Sequence, residues 1–222
     1  MKKTLLLLAA LFVQASAWAA TYTYAGPPYS ATNLHNYTNC IPGFGNCGTY
    51  TTAMAQAGSF TTAAPLPGNL NFTDITAQVT SFSFSDGLTT YSSSDPQVTL
   101  VSVMATTTGG ILEFGVIVQR WQASAPHAVG DHLDQMNIHL GGSHNAECQT
   151  VPVSTTQGAI MCGTTYVGDV YSSWHDTNTG GVWTLAATPP AAPTAVPTLG
   201  EWGLVLLAGL LAALGLRQRR EA

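Results

Sequence analysis

The stretch SFSFSDGLTTYSSSDPQVTLVSVMATTTGGILEFGVIVQRW, Ser81 to Trp121, decides the fold class. Its short runs are rich in β-branched and aromatic residues and are separated by turn residues. Phe82 and Phe84 share one face of a strand, with Ser81, Ser83 and Ser85 on the other. Asp86-Gly87 follows, the dipeptide suited to a type I′ hairpin turn, whose two central residues both take positive φ. Thr107-Thr108-Gly109-Gly110 supplies a second turn. After it Leu112, Phe114, Val116 and Val118 point one way and Glu113, Gln119 and Trp121 the other, with Ile117 the exception. That pattern reads as a half-buried antiparallel strand.

Further out the signals agree. TYTYAGPPYS, from Thr21, is a first strand stopped at Pro27 and Pro28, which cannot donate ladder hydrogen bonds. Asn33 to Gly48, rich in Asn, Gly and Pro, reads as a loop pinned at its neck. GSFTTAAP before the central stretch, and MNIHL, GAIMCGTTYVGDVYSSW and GVWTL after it, read as further strands with Gly-rich and Ser-rich joints. No amphipathic helical period of useful length lies between Thr21 and Leu185, and no internal repeat is visible. The expectation is an all-β domain over residues 20–185, an antiparallel β-sandwich of jelly-roll-like form.

The two ends have another character. MKKTLLLLAALFVQASAWAA places Lys2 and Lys3 before an apolar run and alanines at 15, 17 and 19, the layout of a secretory signal peptide over residues 1–19, cut after Ala19 or Ala17. AATPPAAPTA gives a Pro/Ala linker over residues 186–195, and a tail occupies 196–222. Within the tail, residues 203–216 carry no charge and as a helix would span about 21 Å, short for a bilayer core of ~30 Å. Trp202 on one flank and Arg217, Arg219 and Arg220 on the other nevertheless mark a single transmembrane helix with a basic membrane stop. The basic end belongs in the cytoplasm and the domain outside it, an inner-membrane state.

The six basic residues are Lys2, Lys3, Arg120, Arg217, Arg219 and Arg220, so the exported domain keeps Arg120 alone. Against it stand nine acids: Asp74, Asp86, Asp95, Glu113, Asp131, Asp134, Glu147, Asp169 and Asp176. Such a surface repels phosphate, which argues against nucleic acid as a partner. Cys40, Cys47, Cys148 and Cys162 form two close pairs on the exported side. Two local disulfides are the simplest reading, although four cysteines allow three connectivities.

Val196-Pro197-Thr198-Leu199 followed by Trp202-Gly203, a hydrophobic helix and a basic cluster resembles the IPTL-CTERM protein-sorting tail, whose pattern runs I/V-P-T-L-x-x-W-G. The resemblance implies processing by an exosortase-type membrane enzyme and delivery to the cell surface or beyond. It makes Val196, Pro197, Thr198, Leu199, Trp202 and Gly203 recognition residues, not catalytic ones. TYTYAGPPYS, GSFTTAAPLPGNLNFTDIT and SFSFSDG also look like segments of secreted β-rich domains that carry related tails, which implies export and β architecture but no reaction.

Chemistry in the domain is harder to find. HAVGDHLDQMNIHLGGSHNAE gathers His127, His132, His139 and His144 near Asp131 and Asp134, all of them metal-ligand types, but without H-E-x-x-H or facial-triad spacing. Polar loop residues are the plainer reading, so no metal and no cofactor is expected. There is no G-x-S-x-G elbow and no G-x-x-x-x-G-K phosphate loop. Trp121, Trp174, Trp183 and several tyrosines are candidates for stacking on sugars. The expectation is a non-enzymatic surface or matrix protein with polysaccharide as its candidate ligand. The alternatives are a secreted, for example glycan-active, enzyme and a plain single-pass membrane-anchored protein.

Overall fold

A computed structural model describes residues 19–38, 47–139, 142–150, 153–154, 160–167, 173–175 and 180–187. The expected signal peptide up to residue 18, most of the expected linker and the whole tail, with its expected helix over 203–216, lie outside the described residues. Among the described residues no helix is long and apolar enough to cross a membrane.

The strands in chain order are β1 (Ala20–Ala25), β2 (Leu34–His35), β3 (Ala57–Thr62), β4 (Thr73–Asp74), β5 (Val79–Ser85), β6 (Thr90–Ser92), β7 (Val98–Thr106) and β8 (Glu113–Trp121). They continue with β9 (His132–Ile138), β10 (Ser143–Cys148), β11 (Val153–Ser154), β12 (Ile160–Met161), β13 (Thr165–Val167), β14 (Trp174–His175) and β15 (Val182–Ala187). Three short 3-10 turns are the only helical elements among the described residues. One sheet runs β15-β1-β3-β5-β6 and a second runs β2-β14-β10-β9-β8-β7-β4, with β13 also on β10 and β11 paired to β12. Every pairing is antiparallel. The antiparallel all-β expectation is met.

Period-two alternation produces the register. Tyr22 stands opposite Phe60, and Phe60 opposite Phe82, so one row of rings crosses three strands. Phe82 and Phe84 are buried while Ser81 and Ser83 face out, as the alternation requires. Phe114 of β8, in the other sheet, meets Tyr22, Phe60 and Trp183 edge-on at centroid distances of 5.1, 5.0 and 4.9 Å. Both sheets therefore contribute to one aromatic core. Gly58 permits the close β3–β5 approach, because a Cβ there would sit 2.3 Å from the Ser83 carbonyl oxygen and its φ of 151° suits glycine.

Two local expectations are corrected. The β5–β6 hairpin does not use a two-residue type I′ turn: Ser85 pairs with Thr90, leaving four residues between, and of Asp86 and Gly87 only Gly87 has positive φ. The Asp86 carboxylate instead accepts N–H bonds from Leu88 (2.9 Å) and Thr89 (2.7 Å), a local closure that a short Asp side chain supplies. Strand β8 is also not half-buried along its whole length, since Gln119 and Trp121 on its second face are buried. The segment Ile160 to Cys162 covers them. Trp121 Nε1 and the Thr99 hydroxyl both donate to the Ile160 carbonyl, at 2.9 and 3.0 Å, and Cys162 N–H donates to Gln119 at 3.0 Å. Trp121, Leu133, Ala146, Cys148 and Cys162 form a second small core on this face.

Candidate functional site

A cleft of about 450 Å³ opens at one end of the shared core. Its wall on the second sheet is an extension of the core rows. On β8, Phe114, Val116 and Val118 face the core, and two residues beyond Val118 the same face presents Arg120. Arg120 is in register with Asp134 of β9, which lies two residues before the core residue Met136. The pattern that buries apolar groups thus ends in a paired arginine and aspartate. Tyr91 of β6, Asp86 of the β5–β6 loop and Asp95 before β7 complete the interior, and Cys47, Gly48, Tyr50 and Ser173 form the rim.

The parts are held by specific bonds. Asp86 is 1% exposed, and besides the two loop N–H groups it accepts the Tyr50 hydroxyl at 2.9 Å, while its carbonyl accepts the Tyr29 hydroxyl at 2.7 Å. Tyr50 is fixed at its backbone by Asn36, whose side chain accepts its N–H at 2.8 Å and donates to its carbonyl at 2.9 Å. His175 stacks on Tyr29 at 4.1 Å and meets Tyr50 edge-on at 5.1 Å. The Ser173 hydroxyl accepts the Tyr37 N–H at 2.9 Å and donates to the Gly48 carbonyl, tying the rim to β14. At the mouth, a Cβ on Gly48 would meet Leu88 at 2.4 Å, so glycine lets the two rim loops touch.

Electrostatics inside are lopsided. Three aspartates line the cleft with one arginine. Arg120 Nε donates to Asp95 at 3.3 Å, both side chains being about one-third exposed, so this pair is worth little in stability and serves to orient the guanidinium. Asp134 is 5% exposed and accepts an N–H bond from Gln122 at 3.1 Å. Burial, then the charge of Asp86, pushes the phenols of Tyr50 and Tyr29 far above their ordinary value. Tyr91 is raised likewise by burial, Asp86 and Asp134, with Arg120 acting in the opposite sense. All three are neutral hydroxyls in a negative field.

The residues singled out from sequence fall elsewhere. His127 stacks flat on Trp121 (4.1 Å, 7°), His132 lies on β9, and His139 pairs with Glu113 at 2.7 Å; the His144 side chain is outside the described residues. Among the described residues no group of three His, Cys, Asp or Glu side chains is placed to hold a metal ion. Cys148 is disulfide-bonded to Cys162, and Cys47 is disulfide-bonded as well, while Cys40 is outside the described residues. Of the indoles expected to meet sugars, Trp121 and Trp183 are core residues at 1% and 7% exposure, and Trp174 is covered by His35 at 3.8 Å. The expected recognition residues Val196, Pro197, Thr198, Leu199, Trp202 and Gly203, and the expected stop residues Arg217, Arg219 and Arg220, lie outside the described residues.

The cleft itself was missed by sequence reasoning. In the sequence Asp86 reads as a turn residue, Asp134 as a charge and a metal-ligand type beside the histidines, and Asp95 and Arg120 only as charges. The one available signal was Arg120, a lone cation at a core-facing position of an apolar strand.

Comparison with known proteins bears on the other end of the chain. Residues 194–221 match the IPTL-CTERM motif, a sorting-domain signature. It implies export to the cell surface, with an exosortase-type enzyme as the general processing partner. No curated protein and no solved structure matches the chain.

Proposed function

We propose that this chain is a non-enzymatic surface or matrix protein whose C-terminal tail is a temporary anchor read and cut by an exosortase-type enzyme. A signal peptide over residues 1–19 starts export. The helix over 203–216, stopped by Arg217, Arg219 and Arg220, holds an inner-membrane intermediate while Val196, Pro197, Thr198, Leu199, Trp202 and Gly203 are recognised. The released domain, residues 20–185, is a jelly-roll-like β-sandwich that binds polysaccharide in the cleft of Asp86, Tyr91, Asp95, Arg120 and Asp134. The match at residues 194–221 carries the sorting part of this reading. The shared aromatic core around Phe114 supports the sandwich.

The test is the intact mass of the protein from cells with and without the sorting enzyme. Loss of the tail only when the enzyme is present is the expected result. A tail retained in both cells makes the chain a plain single-pass anchored protein. The three carboxylates around one cleft favour a glycan-active enzyme as the second reading. Release of product from a polysaccharide by the wild type, abolished by Asp134→Asn, would establish it in place of simple binding.

A further inference from the structure

We infer that the cleft is a subsite for a hydroxyl-bearing primary amine, the chemistry of a deacetylated amino-sugar unit; this rests on the polysaccharide reading and narrows its ligand. The first argument is shape. A cleft of about 450 Å³ lies within the ~300–1,000 Å³ of small-molecule sites, and five separate segments of chain converge to build it. The second is its mixture of groups. Arg120 donates, the aspartates accept, and the tyrosine, serine and threonine hydroxyls do either, which suits a ligand with many hydroxyls.

The third argument is sign. With Asp86, Asp95 and Asp134 against Arg120, the lining carries a formal charge of −3 + 1 = −2, so anionic sugars and phosphates are repelled and an ammonium group is attracted. The domain repeats this imbalance at larger scale, with nine acids to one arginine over Thr21 to Leu185, which steers cationic chains toward it. The fourth is rigidity. Asp86, 1% exposed and held by two loop N–H groups and Tyr50, is a fixed source of negative field, and the carboxylate a bound amine reaches is Asp95, held by Arg120 and about one-third exposed. An organic cation fits better than a metal ion, since among the described residues no three His, Cys, Asp or Glu side chains, the three aspartates of the cleft included, are placed to share one ion.

The experiment is calorimetric titration of the full-length chain in detergent, at about pH 6 where amines are protonated, with a glucosamine tetramer and with its N-acetylated counterpart. The expected result is binding of the glucosamine tetramer at least ~10-fold tighter than the acetylated one, weakened about 10-fold by Asp134→Asn and by Thr90→Arg. Thr90 is an exposed rim residue on β6, so Thr90→Arg adds a cation at the mouth without touching the core. Glu147→Gln, on β10 outside the cleft, should leave the affinity unchanged. Glucosamine binding that survives Thr90→Arg and Asp134→Asn overturns the site in favour of diffuse surface charge. Equal affinity for the two tetramers, lost in Thr90→Arg, overturns the amine preference and leaves the polysaccharide reading standing. Silence toward both tetramers overturns the inference together with the polysaccharide part of that reading.

Discussion

The two cores of this domain are built on opposite principles. The large one, to which both sheets contribute, is a cluster of rings: Tyr22, Phe60, Phe84, Phe114 and Trp183, with Val103, Val116 and Val118 packed around them. It needs no covalent help, because each ring buries a large apolar area and finds edge-on or stacked partners. The small one, on the far face of the second sheet, has only Trp121, Leu133, Ala146 and a disulfide. There the chain segment around Ile160 is laid over the sheet by hydrogen bonds from Thr99, Gln119 and Trp121 and clamped by Cys148–Cys162. Where apolar area is scarce, directional bonds and a crosslink do the holding.

The comparison can be broken first at the large core. Phe114→Ala should cost about 3–5 kcal/mol and lower the thermal midpoint of the whole domain, since the lost ring touches Tyr22, Phe60 and Trp183 of the other sheet. A loss under about 1 kcal/mol would mean that the sheets do not depend on this ring. The next largest effect belongs to the clamp. Cys148→Ser with Cys162→Ser, closing a separation of 14 residues in the wild type, should cost roughly 3 kcal/mol. Hydrogen exchange should localise that loss to β8–β10 and the segment around Ile160, leaving β1, β3 and β5 protected. Uniform loss of protection would show that the two cores melt as one.

Smaller changes sharpen the contrast. Trp121→Phe keeps an aromatic ring but removes the N–H bond to Ile160 and part of a buried indole, with an expected cost of about 2 kcal/mol measured by urea denaturation. The weakest effect comes from His127, whose side chain is 6% exposed against Trp121. Burial holds its pKa below 6.5, with Asp131 pulling the other way. A depressed histidine means that protonation disfavours the folded state, so its contribution is complete above the unfolded value of 6.5 and is lost as pH falls through it toward the folded value. His127→Phe preserves the stack and removes the titration. The difference in melting temperature between this variant and wild type should therefore grow from pH 7.5 to pH 5, about the span over which histidine changes charge.

The large core was legible and the small one was not. Alternation in SFSFS and LEFGVIV names Phe82, Phe84, Phe114, Val116 and Val118 because one face of each strand is apolar and the other polar. The same rule assigned Gln119 and Trp121 to solvent, since an indole and an amide look acceptable there, and nothing local announces that a segment forty residues later will cover them. Asp86 was misread for a related reason. Asp-Gly fits a tight turn, but the carboxylate's acceptors are filled by its own loop and by Tyr50, which is distant in sequence. The cleft depends on Asp86, Arg120, Asp134 and Ser173 arriving from separate segments, and only the tertiary fold brings them together. The sorting signature is the converse case: it is read as linear chemistry, so its residues are legible without any fold.

Arg120 has a consequence for survival outside the cell. Between Lys3 and Arg217 it is the sole residue after which a trypsin-like protease can cut. It sits within β8, hydrogen-bonded between β7 and β9, with its guanidinium tied to Asp95 and Gln97. A protease needs an extended, released segment, and a central strand offers one only when the sheet itself opens. Digestion of the exported domain by this whole class of enzymes is therefore gated by unfolding of β8 and is held off as long as the strand stays paired on both sides.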